Sequence, residues 1–326
     1  MVVLNRKGPC TEIQSPAKTQ RRRELELHLD LMGGLAGDMF VAALLDAFPE
    51  YESTVIANIQ ALNGAYPVAC SLIVHADRFL RGRRFEVKPL ARRGASGADG
   101  EQSFAPAQSS WQSIRRSLEN SSLDPDVRAH AVGIFTLLAE AEASVHGIET
   151  DRVVFDEEGV WDSIADIVGA ATLIHATGAA RWTSSPAPLG SGRVRTARGI
   201  LPVPAPATTH LLLGMPTIDD GIEGERLTPT GAAILRYLCH PSGGGGGLAP
   251  KTRRLVCSGT GFGSRVLPNV SNHVRVLCFE EIDHGAGRRR QFRAPEFEEN
   301  DQSGDDLAAG LDRLRRLTAF LDVAQS

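Results

Sequence analysis

The sequence lacks the features that mark several classes of protein. Its five cysteines are odd in number and none is spaced Cys-x-x-Cys, which argues against a disulfide framework and a zinc ribbon. No apolar run reaches the ~18 residues of a membrane span, and no apolar signal core follows the charged N-terminus. A net charge of -4 argues against nucleic-acid binding. We therefore expect a cytoplasmic protein with no nucleic-acid and no membrane partner.

The patterns that are present predict a mixed α/β (α+β) fold with one main domain. Hydrophobic residues make up 42% of the chain, which is enough for a sizeable core. Strict alternation over 24–31 predicts a strand, and apolar spacing predicts helices over 39–48, 111–118 and 125–146. A last strand is predicted over 274–280.

Polar and low-complexity stretches divide the chain. We expect a flexible arm over 1–23, the main domain over 24–283 with a flexible insert at about 92–110, and a C-terminal segment over 284–326. That last segment reads as a polar linker followed by an amphipathic tail helix, with leucines at helical spacing from Leu307 to Leu321. The helix is suited to docking on the main domain, to self-association as a homo-oligomer, or to a partner.

A glycine-rich loop joins the first strand to the first helix. Gly33, Gly34 and Gly37 would let a ligand approach the backbone, and the following helix N-terminus suits an anion or a phosphate. The loop matches neither the P-loop nor the dinucleotide fingerprint. The alternative interpretation is a tight turn with Asp38 as an ordinary helix N-cap.

An acidic cluster lies at the start of another predicted helix. Asp156, Glu157 and Asp162 crowd this N-terminus, and clustered carboxylates bind protons more tightly unless a cation neutralises them. A hard divalent cation is the natural candidate. Ser163 and Asp166 fit a capping box, which would give these two residues a purely structural role.

Long loops with few charges follow over 184–238 and suit either a binding cleft or plain architecture. Residues 200–206 carry proline at alternate positions and should form an extended edge. Thr228 and Pro229 mark a helix start, with threonine as N-cap.

Several motifs together resemble one family, the LarC nickel-insertion family, over about residues 24–280. They are, in chain order, Gly-Asp-Met-Phe (37–40), Val-His-Gly (145–147), Asp-Ser-Ile-Ala-Asp-Ile-Val-Gly-Ala (162–170), Leu-Gly-Ser-Gly (189–192), Gly-Ile-Leu-Pro-Val-Pro-Ala-Pro-Ala-Thr (199–208), Gly-Ile-Glu-Gly-Glu (221–225), Thr-Pro-Thr-Gly-Ala-Ala (228–233) and Gly-Thr-Gly-Phe-Gly-Ser-Arg (259–265). The ordered set is far more specific than any one motif.

The resemblance implies an enzyme that inserts nickel into pyridinium-3,5-bisthiocarboxylate mononucleotide, as a CTP-dependent lyase of nickel-pincer cofactor biosynthesis. One metal–carbon and two metal–sulfur bonds form, and a magnesium or manganese ion assists. With the loop and cluster above, it suggests catalytic, cofactor-binding and metal-binding sets. These sets are Asp38, Glu157 and Asp162; Gly33, Gly34, Gly37, Thr228 and Thr230; and Asp156, Glu157, Asp162 and His146.

Two departures from the family pattern leave an alternative open. Where the family has His-Phe-His-Glu, this chain has Val154, Phe155, Asp156 and Glu157, so both imidazoles are missing. We also expect no counterpart here to the C-terminal domain that carries the CTP site in typical members, and therefore expect a separate partner to supply it together with Mg or Mn. The alternative is a non-catalytic member that binds a metal or a nucleotide and has lost turnover.

Overall fold

The computed structural model describes residues 25–62, 67–90, 109–155, 159–196, 199–239, 252–267 and 270–282. All of them belong to the first of two compact units, Met1–Ile282. The arm over 1–23, the linker and tail helix over 284–326, and nearly all of the insert over 92–110 lie outside the described residues.

The described residues form seven α-helices and twelve strands, which confirms the mixed α/β class. The helices are α1 (Gly37–Ala47), α2 (Glu52–Gln60), α3 (Trp111–Glu119), α4 (Pro125–His146), α5 (Val160–Thr177), α6 (Pro206–Leu211) and α7 (Pro229–Leu238). The strands are β1 (Leu25–Asp30), β2 (Val68–Ala76), β3 (Arg81–Pro89), β4 (Arg181–Ser184), β5 (Ala187–Pro188), β6 (Gly190–Ser191), β7 (Arg193–Thr196), β8 (Gly199–Pro202), β9 (Thr217–Ile218), β10 (Gly224–Glu225), β11 (Arg253–Phe262) and β12 (His273–Glu281). Among these helices, none is long and apolar enough to cross a bilayer.

One mixed sheet of six strands carries the fold, in the order β2-β3-β11-β12-β1-β4. Strand β1 pairs antiparallel with β12 and parallel with β4. Its alternating sequence buries Leu27 and Leu29 on one face, while Glu26 and Asp30 on the other face pair with arginines of β11 and β12. A sheet with one buried and one charged face produces this alternation.

Helix α1 packs closely on the buried face of the sheet because β11 carries glycine where the helix crosses it. A Cβ atom on Gly259 would lie 2.1 Å from the carbonyl oxygen of Ala43, and one on Gly261 would lie 2.0 Å from that of Met39. Any side chain at these positions would push α1 away from the sheet. These contacts therefore determine the distance between the N-terminal part of α1 and the sheet.

Helix α5 is buried on all sides from Ile164 to Ile174, as expected of a central helix. It packs against α1, α2 and α4. The predicted helix over 125–146 is confirmed residue for residue, with Asp124 as N-cap and Gly147 closing it at φ 63°. The extended edge predicted over 200–206 is shorter in the structure. Strands β7 and β8 form an antiparallel ribbon that reaches only to Pro202, and helix α6 begins at Pro206.

Candidate functional site

Three aspartates converge where the first turns of α1 and α5 meet. Asp38 is the second residue of α1, and Asp162 lies in the first turn of α5. Asp166 follows one turn later on the same face of α5, since residues four apart on a helix are neighbours. Asp38 and Asp162 were both predicted as site residues, and the structure brings them together.

Asp166 is the most buried member of the cluster. Its carboxyl fills the space above Gly37, where a Cβ atom would lie 2.6 Å from Asp166 Oδ2. The backbone N–H of Asp38 donates to this carboxyl, while Oδ1 has no hydrogen-bond partner among the described residues. Burial, reinforced by the charges of Asp38 and Asp162, raises the pKa of Asp166 well above its ordinary value.

The other two carboxyls also bind protons more tightly than usual. Burial raises the pKa of Asp38 to about 6, although the Met39 N–H, which donates to its Oδ1 at 2.7 Å, and the charge of Arg84 oppose this rise. Burial likewise raises the pKa of Asp162. Three neighbouring carboxyls with raised pKa, one buried (Asp166), one half-buried (Asp38) and one exposed (Asp162), will hold either protons or a cation.

Two cavities adjoin the cluster, with volumes of about 260 and 410 Å³. Both are lined by Asp38, Asp162, Asp166 and Ser264. A cation bound by the aspartates could therefore be reached from either cavity.

The smaller cavity combines the acidic cluster with groups that suit an anion. Its walls include Arg226, Arg265, Thr228, Thr230 and Asn272. Thr228 is the N-cap of α7, as predicted: its Oγ1 accepts from the Gly231 N–H at 3.2 Å and lies 3.0 Å from Thr230 Oγ1. A divalent ion together with a phosphate group would satisfy both sides of such a cavity.

Arg226 holds the glycine-rich loop in place beside this cavity. Its side chain is completely buried, Nη1 lies 2.9 Å from Asp220 Oδ2, and Nε donates to the Gly33 carbonyl at 3.0 Å. Cβ atoms on Gly33 and Gly34 would collide with the backbones of His273 and Arg226. These contacts explain both glycines by packing, and the predicted approach of a ligand to Gly33, Gly34 and Gly37 remains a proposal.

The larger cavity presents cationic groups next to the aspartates. Arg84 donates from Nη2 to the Gly263 carbonyl at 3.0 Å, whereas its buried Nε has no partner among the described residues. Lys88 lines the same cavity. The positive charge of Arg84 lowers the pKa of Asp38, so the two side chains are electrostatically coupled.

The remaining predicted residues are not in this cluster. Asp156 and Glu157 lie outside the described residues. His146 is half-exposed at the end of α4, where its Nε2 lies 3.5 Å from Glu142 Oε2, and it lines neither aspartate cavity.

A group of three possible metal ligands, more compact than the aspartate cluster, lies elsewhere on the surface. Within the described ranges, Asp124, Asp126 and His175 form the group whose ligand atoms all lie within 4.8 Å of one another. Asp38, Asp162 and Asp166 are more widely spaced, so a cation there would draw them closer or take further ligands from water or a substrate.

Two local predictions at these helix starts are wrong. Helix α1 has Ala36 as N-cap, so Asp38 lies inside the first turn. Helix α5 begins at Val160 with Gly159 as N-cap, and Ser163 Oγ donates to the Gly159 carbonyl at 3.0 Å. The capping box of Ser163 and Asp166 therefore does not form, and Asp166 becomes a site residue. Its spacing of four from Asp162 was the signal in the sequence.

Several curated relatives are provisionally named nickel insertion proteins. One from Pelobacter propionicus is 40% identical over 255 residues, covering 77% of this chain and 59% of the relative. One from Geobacter sulfurreducens is 41% identical over 263 residues, covering 80% and 63%. One from Geobacter metallireducens is 38% identical over 300 residues, covering 92% and 72%.

This chain thus spans about three fifths of the length of the first two of these relatives. No solved structure matches it. The family model described as "Nickel insertion protein" matches residues 27–324, which extends past the 24–280 segment on which the sequence resemblance was based. The chain therefore belongs to the nickel insertion protein family.

Proposed function

We propose that this protein inserts nickel into pyridinium-3,5-bisthiocarboxylate mononucleotide, in the cytoplasm, during synthesis of the nickel-pincer cofactor. One observation carries the proposal: Asp38, Asp162 and the fully buried Asp166 converge on two adjoining cavities, and an oxygen of Asp166 has no partner among the described residues. Membership of the family supports nickel as the metal that is handled.

The donor atoms of the cluster fit a magnesium or manganese ion better than nickel. Carboxylate oxygens are hard ligands, whereas nickel prefers nitrogen and sulfur, which the two thiocarboxylates of the substrate would supply. A divalent ion held by the aspartates would supply positive charge to a phosphate group in the smaller cavity. Asp156 and Glu157, just upstream of α5, are the further ligands that we propose from the sequence.

The residues of this chain have defined roles in that scheme. Burial raises the pKa of Asp38 and Asp166, so protons compete with a cation for both carboxyls as the pH falls. Thr228 and Thr230 offer hydroxyl groups to the phosphate, and Arg265 offers a guanidinium whose Nη2 lies 2.8 Å from Glu225 Oε2.

Metal binding by the cluster is tested first. Mn²⁺ titration of the full chain, with detection of free Mn²⁺ by electron paramagnetic resonance, should give one site whose affinity falls about 10- to 100-fold in Asp166→Asn. The control is Asp151→Asn, which removes an exposed aspartate and should leave the affinity unchanged. Equal affinity in both variants would remove the cluster from the mechanism.

Insertion is then assayed with the mononucleotide, Ni²⁺, CTP and Mg²⁺ or Mn²⁺, with mass spectrometry detecting the nickel-containing product. We propose that a separate protein provides the CTP-binding domain, so the assay is run with and without the C-terminal segment of a longer relative. Product in either reaction, lost in Asp38→Asn and Asp162→Asn, supports the proposal. Its absence from both would contradict it.

A binding protein without turnover is the second candidate. The observation that favours it is Val154, which stands where the family pattern has a histidine, has a side chain 48% exposed, and supplies no metal ligand. Near-stoichiometric binding of nickel and mononucleotide without product would identify this function.

A further inference from the structure

An imidazole and two carboxylates lie together where α4 begins and α5 ends. Asp124 is the N-cap of α4, Asp126 is in its first turn, and His175 is in the last turn of α5. The two helices pack against each other, so residues distant in the chain become neighbours. His175 Nδ1 lies 3.8 Å from Asp126 Oδ2, and its Nε2 lies 4.0 Å from Asp124 Oδ1. One ligand atom from each of the three residues lies within 4.8 Å of the other two.

Each of the three residues has an ordinary structural role by itself. Asp124 Oδ1 caps α4 by accepting from the Asp126 N–H at 2.9 Å. The charges of Asp126 and of a protonated His175 each suit the dipole at their own helix end. These roles do not require the side chains to meet. At 3.8 and 4.0 Å, the imidazole nitrogens are too far from the carboxylates for a hydrogen bond, so direct bonding does not explain the group either.

The space between the three side chains has the dimensions of a metal site. Nitrogen and oxygen ligands lie about 2.0–2.2 Å from a divalent transition-metal ion, so two ligands of one ion lie about 3–4.3 Å apart, depending on the angle between them. One nitrogen of the imidazole binds the ion, and movements of about 1 Å bring the three ligand atoms from within 4.8 Å into that range. All three side chains are exposed, so they are free to make this movement and water can supply the remaining ligands.

The group also carries excess negative charge. Two carboxylates face one imidazole, which leaves one negative charge uncompensated when the imidazole is protonated and two when it is neutral. Among the described residues, His175 is the only ion-pair partner of Asp124 and of Asp126. A divalent cation would neutralise the group.

The nitrogen donor distinguishes this group from the aspartate cluster. Imidazole suits nickel, zinc and copper, whereas carboxylate sites suit magnesium and manganese. A second imidazole lies nearby, because His130 follows Asp126 by one turn of α4. Burial and then the charge of His175 lower the pKa of His130, while the charge of Asp126 opposes this, so His130 is within electrostatic reach of both. Its Nδ1 lies 2.9 Å from the Tyr237 hydroxyl, which orients the ring.

We propose that Asp124, Asp126 and His175 form a second metal site, which binds Ni²⁺ or another late first-row divalent ion in preference to Mn²⁺ and Mg²⁺. The length of α5 between Asp162 and His175 separates this site from the aspartate cluster by about 20 Å, so the site takes no part in chemistry at that cluster. Its exposure lets the ion exchange with solvent, which suits a site that collects nickel. That role rests on the proposed function, whereas metal binding by the three residues does not.

The test is calorimetric titration of the full chain with Ni²⁺, in the presence of enough Mn²⁺ to fill the aspartate cluster. His175→Gln and Asp126→Asn should each weaken Ni²⁺ binding at least about tenfold. Asp124→Asn should also weaken it, and asparagine caps a helix as well as aspartate does, so α4 stays intact in this variant. The matched controls are His210→Gln, which changes an exposed histidine in the last turn of α6, and Asp151→Asn, and both should leave the affinity unchanged.

Metal preference gives a second measurement. In the unmodified chain, a tenfold excess of Mn²⁺ should not displace Ni²⁺ from the site, because imidazole favours nickel by at least about tenfold. His175→Gln should remove most of that preference. Equal Ni²⁺ affinity in His175→Gln and in the unmodified chain would overturn the proposal, and so would an equal loss of affinity in His175→Gln and in the control His210→Gln.

The outcome is separable from that for nickel insertion. Asp166→Asn should weaken Mn²⁺ binding and keep the Ni²⁺ site, while His175→Gln should keep Mn²⁺ binding, because the two groups of ligands lie at opposite ends of α5. Ni²⁺ binding that requires His175, in a protein that makes no nickel product, would support the site and contradict the proposed function. Nickel product, together with Ni²⁺ binding that His175→Gln leaves unchanged, would contradict the site alone.

Discussion

The buried carboxyl of Asp38 should make the metal-free protein less stable as the pH rises. Burial raises the pKa of Asp38 from 3.8 to about 6, whereas the unfolded chain exposes an ordinary aspartate. Between these two values the folded protein binds the additional proton. The stability that this proton provides is complete below about pH 4 and is lost as the pH rises through about 6. A pKa change of this size corresponds to about 3 kcal/mol.

Asp38→Asn should remove most of that loss. The amide oxygen can still accept from the Met39 N–H, and Asp166 accepts from the backbone of residue 38, so neither hydrogen bond is lost. Urea unfolding of the metal-free chain should show the variant more stable than the unmodified protein by up to about 3 kcal/mol near pH 7.5, and not more stable near pH 4. The exposed control Asp151→Asn should follow the unmodified profile.

Addition of millimolar Mn²⁺ near neutral pH completes the assay. It should stabilise the unmodified protein, because a ligand that binds only the folded state shifts the unfolding equilibrium, and should stabilise Asp38→Asn much less. If Asp38→Asn shows the same pH dependence as the unmodified chain, the carboxyl does not carry the raised pKa and the reasoning fails. If Mn²⁺ stabilises both equally, Asp38 is not a ligand.

Three further substitutions test the surroundings of the cluster. Gly37→Ala should displace the Asp166 carboxyl, cost about 1–3 kcal/mol in urea unfolding and weaken Mn²⁺ binding about tenfold, whereas Gly159→Ala, whose Cβ meets nothing within 4 Å, should leave Mn²⁺ affinity unchanged. Arg226→Met should cost about 3–5 kcal/mol in the same measurement, since it leaves the ion-pair partner of a fully buried guanidinium uncompensated. Thr228→Ala should cost about 1 kcal/mol through loss of the α7 cap and Thr228→Ser much less, so equal losses would contradict the capping role.

Several elements were predicted well because residues within or next to them determine where they begin and end. Helix α4 starts at Asp124-Pro125 and stops at Gly147, which are strong signals at both ends. Strand β1 shows its alternation because its two faces meet different surroundings. Helix α7 starts at Thr228 for the same kind of local reason.

The site itself depended on tertiary packing that the sequence does not display. Helix α5 begins one turn earlier than the Ser163 signal indicates, because Val160 and Trp161 bury their side chains in the core. That shift moves Asp166 from a cap into the interior. The sequence suggested that the loop glycines make room for a ligand. In the structure, a Cβ atom on Gly34 would collide with the backbone of Arg226, so this glycine makes room for another segment of the chain. A local sequence pattern cannot predict which distant segment packs against a loop.

The position of Asp166 is itself an argument for function. Its neighbours in α5, Ala165, Ile167 and Val168, are all completely buried, so an apolar residue at 166 would extend the core without a buried carboxyl. The N-terminal turns of α1 and α5 offset only part of the cost through their dipoles. The Oδ1 atom of Asp166, which is buried without a hydrogen-bond partner among the described residues, lowers the stability of the metal-free protein. A bound cation would make the contribution of this carboxyl to stability favourable. The aspartate cluster is therefore best understood as a site whose stability depends on its ligand, which is why metal-free and metal-bound protein should respond to the same substitution in opposite directions.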